Sequence, residues 1–166
     1  MPGLTGTHPP RGPLRLAARL PLWLYRAHLG WLLGNRFLML THIGRRSGLP
    51  RQVVLEVVRY DNSTGTYIIA SGWGEKSDWF RNIQKTPDVV VSAGRKRFEA
   101  RAVRLPVEEA ERELRDYARR HPLAFRELSG LMAGQRLRGT DEDFERLAQS
   151  VPLVALRPRT TPARSS

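Results

Sequence analysis

The sequence predicts an α+β fold, an antiparallel β-barrel with helices at its side, and three observations predict it. Strand signals follow one another from Phe37 to Leu105 as consecutive hairpins with few crossovers. A single short helical segment interrupts them. A last apolar run, Val151 to Leu156, comes after the later amphipathic helices and is placed to close the sheet.

The elements follow in order. Residues 1–13 carry Gly, Pro and Thr without an apolar period and read as disordered. Leu14 to Gly34 is apolar and basic at once. Arg15, Arg19 and Arg26 share one helical face, while Trp23, Ala27 and Trp31 share another. Pro21 starts or kinks this helix and Gly34-Asn35 ends it. The apolar run Leu20 to Leu33 is too short for a membrane span and is broken by Arg26 and His28. Its arginines and the lack of a small-residue cleavage site exclude a signal peptide. A helix packed across the domain and a helix lying in a membrane interface both remain open for residues 14–33.

Phe37 to Thr41 is a first short strand. Gln52 to Tyr60 is β-branched and makes a second, the turn cluster Asp61-Asn62-Ser63-Thr64-Gly65 reverses the chain, and Thr66 to Ala70 returns. Ser71-Gly72-Trp73-Gly74 is a glycine-rich loop. Ser77 is a fitting N-cap for a helix through Lys85, with Trp79, Phe80 and Ile83 inward, and Pro87 stops it. Asp88 to Ala93 and Arg97 to Leu105 form a second hairpin around Gly94-Arg95-Lys96, with Phe98, Ala100 and Ala102 on one side. Pro106 opens a helix to Arg120 with the buried stripe Val107, Ala110, Leu114 and Tyr117. Spaced ion pairs are expected for Glu108 with Arg112 and for Glu111 with Arg115. Leu123 to Met132 and Asp143 to Gln149 read as further helices joined by a loop at Gly134 to Thr140. The tail from Pro158 reads as disordered, leaving one domain over residues 14–157.

Composition bounds the function. The chain has 166 residues, enough for one domain with a proper core. It has no cysteine, which excludes disulfides and thiolate metal sites and fits a reducing cytoplasm. Four scattered histidines (His8, His28, His42, His121) lack metal-ligand spacing, so no metal is expected. A formal charge of +12 and a pI near 11.3 call for an acidic partner: nucleic acid, an anionic membrane or a polyanionic small molecule.

The most chemically loaded segment is Thr41-His42-Ile43-Gly44-Arg45-Arg46-Ser47-Gly48-Leu49-Pro50-Arg51, between two apolar runs. It is a tight strand-to-strand loop presenting cations together with backbone N–H groups. That combination suits a phosphate or a carboxylate. It equally suits a hairpin tip whose charges only keep it solvated.

With the loop placed, the order Gly44-Arg45-Arg46-Ser47-Gly48-Leu49-Pro50-Arg51, long strand, hairpin, Ala70-Ser71-Gly72-Trp73-Gly74, Asp78-Trp79-Phe80-Arg81-Asn82-Ile83, Lys85-Thr86-Pro87, Val89-Val90-Val91 resembles the deazaflavin-dependent nitroreductase family, among the split β-barrel flavin and deazaflavin oxidoreductases. The likeness runs from about Phe37 to Leu105, and the closing strand Val151-Pro152-Leu153-Val154 also fits.

The resemblance implies a six-stranded split barrel with an N-terminal helix and C-terminal helices on its side. It also implies binding of reduced coenzyme F420, whose phosphate and oligoglutamate tail are strongly anionic. Arg45, Arg46 and Arg51 would then hold phosphate and tail carboxylates, with Ser47 and Gly48 adding a hydroxyl and N–H groups. Ser71, Gly72, Trp73 and Gly74 match the family's second anion-contacting loop. Trp79 and Asn82 match the helix flanking the cofactor groove, and Leu55 matches a leucine under the deazaflavin ring. The implied reaction is hydride delivery to a nitro compound, a quinone or an enone, with no side chain standing out as proton donor.

The chain departs from the family pattern at Gly72, where a basic residue is common, and at Val54, where a proline is common. It also departs near the C-terminus, where Phe125, Leu128, Leu131 and Met132 replace tyrosines and leave Tyr117 the nearest phenol. A more apolar pocket with a different acceptor is expected.

Other readings compete. The same fold could hold FMN, haem or fatty acid, although FMN needs fewer cations than the loop offers. Nucleic-acid binding follows from pI alone and lacks aromatic-basic interleaving, helix-turn-helix or zinc spacing. A lipid-surface role through residues 14–33 is compatible with a quinone reductase at the inner face of the plasma membrane. A homodimer is expected to bury the edges that a half-open barrel exposes.

Overall fold

In the computed structural model, residues 36–72, 74–123, 125–126 and 139–159 are described. The expected N-terminal helix at residues 14–33, the disorder expected at 1–13, Trp73, and Leu128, Leu131 and Met132 lie outside them. The described chain forms six strands: β1 (Phe37–Ile43), β2 (Pro50–Asp61), β3 (Thr66–Ala70), β4 (Asp88–Ala93), β5 (Lys96–Arg104) and β6 (Leu153–Pro158). Three α-helices accompany them: α1 (Asp78–Lys85), α2 (Val107–Arg120) and α3 (Asp141–Ser150). All strand pairs are antiparallel, and the order β1-β2-β3-β6-β5-β4 closes because β4 pairs back to β1. This is the barrel that the hairpin signals and the final apolar run predict.

Alternation builds two apolar layers. Leu38 and Leu40 of β1, Ile69 of β3, Val89 and Val91 of β4, Ala100 and Ala102 of β5, and Val154 and Leu156 of β6 fill the interior. Phe80, Trp79 and Ile83 of α1 join that interior, so the short helix plugs one end of the barrel. Phe80 is fully buried; sealing such a ring stabilises the fold by about 1.5–3 kcal/mol. The opposite faces of β3 and β6, with Ile68, Leu153 and Ala155, carry α2 and α3 through Ala110, Leu114, Tyr117, Phe144 and Leu147. Thus β6 is buried on both faces, which explains its continuous apolar run.

The boundaries differ from expectation in ways that have causes. β1 continues to Ile43 and β2 starts at Pro50, because the ladder persists to the pairs His42↔Arg51 and Ile43↔Pro50. β6 runs through Pro158, and Arg159 N–H donates to Glu99 O at 2.9 Å, so the strand enters the segment read as tail. α3 begins at Asp141 because Thr140 and Asp143 form a reciprocal capping box. Ser77 sits at the N-cap of α1 but makes no capping hydrogen bond; its hydroxyl meets Ser71 instead. Glu111 pairs with Arg115 at 2.7 Å, whereas Glu108 and Arg112 form no ion pair among the described residues.

β3 pairs with β2 only from Val57 onward, with a register shift between Val57 and Arg59. Over residues 50–56, β2 therefore pairs with β1 alone among the described strands. There Val53 and Leu55 face the interior yet stay half-exposed. The chain leaving β3 at Ser71 turns toward β6, with Ser71 N–H donating to Pro152 O at 2.9 Å. The stretch of β2 edge left without a second partner strand is a seam of the barrel, next to where the chain leaves β3 at Ser71.

Candidate functional site

The β1–β2 loop closes on itself at the mouth of the seam. Gly44 N–H donates to Leu49 O and Gly48 N–H to Gly44 O, both at 2.9 Å. Gly48 adopts φ 69°, a conformation that favours glycine. Ser47 Oγ accepts Leu49 N–H at 3.2 Å, which spends part of its hydrogen-bonding capacity on the shape of the loop. A Cβ on Gly44 would lie 2.6 Å from Ser47 Oγ, so a side chain there would push that hydroxyl from its contact with Leu49 N–H.

The three arginines expected to act alike divide into two roles. Arg45 is turned onto α1: its backbone N–H and Nη1 both donate to Asn82 Oδ1, at 3.0 and 2.9 Å, and Nη2 donates to Asp78 Oδ1 at 3.1 Å. Lys85 Nζ donates to Arg45 O at 2.9 Å. Asn82 is 4 % exposed, so this amide is an internal tether with no free atom for a ligand. Arg45 and Asn82 are thus engaged with each other and with α1. Arg46 and Arg51 are exposed and form no ion pair among the described residues, which leaves two guanidinium groups for an anion.

The second loop is likewise built from within. Ser71 is 0 % exposed; its hydroxyl donates to Gly74 O at 2.7 Å and lies 2.9 Å from Ser77 Oγ. It shapes the turn and offers no hydroxyl to a ligand. Gly72 is half-buried, and Gly74, at φ 72°, is buried. Glu75 beside it pairs with Arg104 at 2.7 Å, anchoring this turn to the end of β5. Trp79 is in the barrel core, edge-on to Phe80 with centroids 6.0 Å apart. Leu55 alone among the apolar expectations lies on the seam.

His42 is the residue the sequence reading passed over. It is 4 % exposed, at the end of the inward row Leu38, Leu40, His42, directly across from Arg51. Its Nδ1 lies 3.1 Å from Asn82 Nδ2. Both Arg45 groups at Oδ1 are donors, so the amide must turn its NH2 toward His42, and Nδ1 must accept. Burial first, then the charge of Arg51, lower the imidazole from 6.5 to about 4, against a smaller opposing pull from Asp78. The ring is neutral at pH 7 with its proton on Nε2. The missed signal was a polar residue in an apolar period-2 row.

Two further groups can be placed. On the outer face of β2, Tyr117 donates to Glu56 Oε1 at 2.9 Å, and burial together with that bond pushes the phenol well above its ordinary range. It is not a ready proton donor. No group of three metal-ligating side chains occurs among the described residues, and none of their helices is long and apolar enough to cross a membrane.

The sequence model of a family described as F420H(2)-dependent quinone reductase matches residues 18–130. No curated protein sequence matches the chain. Among solved structures, an F420-H2 dependent reductase is 21 % identical, with 75 % of this chain and 96 % of that one covered and a TM-score of 0.52. A structure described as a domain-swapped dimer is also 21 % identical, covering 82 % and 99 %, with a TM-score of 0.52. A pyridoxamine 5'-phosphate oxidase-related, FMN binding protein from Nostoc punctiforme is 16 % identical, covering 89 % and 81 %, with a TM-score of 0.53. These likenesses establish the split-barrel fold.

Proposed function

Because the chain belongs to the F420H(2)-dependent quinone reductase family, we propose that Arg46 and Arg51 grip the phosphate and tail carboxylates of F420 while Val53 and Leu55 face its ring along the β2 seam. The chain is an oxidoreductase that works with reduced F420. The observation that carries the site assignment is the pair of unpaired, exposed guanidinium groups on an arc pinned by Asn82, beside a half-exposed apolar strand edge. Those residues fit a multiply anionic carrier with an apolar ring.

The bound cofactor supplies hydride at its deazaflavin ring. The protein's part is to hold and orient. Two cations at the mouth take the charged end, and the tethered loop keeps them at fixed spacing. Over residues 53–56 β2 pairs with β1 alone among the described strands, so its backbone edge there would offer hydrogen bonds to polar ring edges. Phe80 and Trp79 seal the barrel behind the seam and exclude water from that side. Among the described residues no side chain stands out as a proton donor to the acceptor, because burial and the bond to Glu56 push the Tyr117 phenol well above its ordinary range, and solvent would supply that proton.

The acceptor proposed is a quinone, in keeping with the family and with the apolar seam. A homodimer is also proposed, because the bare edge of β2 is a pairing surface. A cytoplasmic location with peripheral contact through residues 14–33 rests on the amphipathic sequence there; flotation with liposomes, with and without residues 1–34, tests it.

The deciding experiment is a fluorescence titration of F420 into the wild type and the Arg46→Ala/Arg51→Ala variant. Loss of two charge-assisted contacts is expected to weaken binding at least about 100-fold, mainly through faster dissociation. Equal affinity in the two proteins removes the site assignment. A yellow, FMN-loaded protein as isolated replaces the cofactor.

A further inference from the structure

We propose that His42 is a positioning residue for the anion loop: acting through Asn82, it holds Arg45, and with it the exposed arc from Arg46 to Arg51, against α1. The role of the arc as cofactor grip is the reading just given, on which this inference rests.

His42 lies outside the loop and outside α1, on the inner face of β1 with Leu38 and Leu40. The Asn82 amide explains a polar ring there. Arg45 presents two donors to Asn82, its backbone N–H and Nη1, and both reach Oδ1. The NH2 of the same amide is then committed to the opposite side, where Nδ1 of His42 receives it. An aliphatic residue at position 42 leaves that NH2 unpaired in a buried site. An imidazole protonated on Nδ1 meets it donor against donor. Only the neutral ring with its proton on Nε2 completes the relay.

The surroundings enforce that form. Arg51 faces the ring across the strand pair and Asp78 faces it from α1, while Arg45 approaches from the loop and Lys85 holds the Arg45 carbonyl. Three of these four groups are cations, and burial also opposes a charge on the ring. Without His42 the NH2 of Asn82 loses its acceptor, and only the two Arg45 donors are left to set the orientation of the amide. Any turn of the amide sets NH2 against both of those donors and leaves the Asp78 and Lys85 contacts to tether the arc.

The test uses the full chain as wild type, His42→Leu and His42→Asn. Nitrogen NMR of the wild-type imidazole at pH 6, without ligand, is expected to read a neutral ring protonated on Nε2. His42→Leu is expected to speed amide exchange at Arg45 and to raise the F420 dissociation constant, each about tenfold, through one lost buried hydrogen bond. His42→Asn restores a carbonyl acceptor near the Nδ1 position and is expected to stay within about threefold of wild type. A charged ring, a ring protonated on Nδ1, or unchanged Arg45 exchange in His42→Leu overturns the relay. If His42→Leu does not fold, the wild-type tautomer and the His42→Asn rescue decide the matter. If the wild type fails to bind F420, the cofactor reading falls, and the tautomer and Arg45 exchange still judge the relay independently.

Discussion

A carboxamide with every polar atom engaged in a buried site is a joint whose loss is felt twice. Asn82 satisfies two donors of Arg45 and one acceptor of His42. Asn82→Ala strands all three, so a loss of about 2–4 kcal/mol in unfolding free energy is expected by denaturant titration. Weaker F420 binding should accompany it in the surviving folded fraction. His42 sets a pH dependence whose sign is fixed by its depressed pKa of about 4 against 6.5 when unfolded. The unfolded chain binds the proton first, so the stabilisation is fully present above pH 6.5 and is lost as pH falls toward 4. Between pH 7 and pH 5 the wild type should lose about 2 kcal/mol from this group. His42→Asn should lose correspondingly less, and parallel losses in the two proteins would falsify the assignment. The motif marked Arg45 and Asn82 as ligand contacts because it places them in chain order. That they bond each other across 37 residues is a property of the fold and not of either segment.

At the scale of elements, the arginine loop and the short helix α1 behave as one unit. Four contacts bind them, three from Arg45 and one from Lys85, and His42 braces Asn82 from beneath. The loop itself tolerates little change, because Gly48 at φ 69° closes it. Gly48→Ala is expected to cost about 1 kcal/mol in stability, with empty space around the new methyl, so backbone strain alone is responsible. Its clearer signature should be a several-fold rise in the F420 dissociation constant, as the arc shifts; unchanged affinity would mean the arc is less tightly shaped than its hydrogen bonds imply. Strands and hairpins were legible here because period-2 burial and turn residues are local signals, as in Asp61, whose carboxylate takes the Ser63 N–H and hydroxyl. The seam was not legible. It exists because β3 has five residues against the twelve of β2 and because the register shifts at Val57, facts of pairing rather than of composition. Whether the Ser71 hydroxyl faces inward or outward was not legible for the related reason that a glycine-rich loop allows either, and here Gly74 and Ser77 take it.

For the whole molecule, the net charge of +12 far exceeds the two arginines, Arg46 and Arg51, that the proposed site draws on. Most of the described acidic groups are spent on local pairs, such as Glu113 with Arg59 and Asp116 with Arg120, so the surplus is spread over the surface. A spread surplus adds little to any one contact but sums to a long-range field that draws anions inward. Its effect falls on encounter, whereas Arg46 and Arg51, in the proposed site, are expected to govern how long the ligand stays. Stopped-flow F420 binding should therefore show an association rate that drops about tenfold or more between 20 and 300 mM salt, in the Arg46→Ala/Arg51→Ala variant nearly as in the wild type. The dissociation rate should be the quantity that separates the two proteins. An uncharged quinone feels none of this field, so its KM should stay flat across the same salt range. Should the quinone KM climb with salt in step with the cofactor association rate, the field would be acting on the protein's own conformation, and the division between steering surface and gripping arc would have to be abandoned.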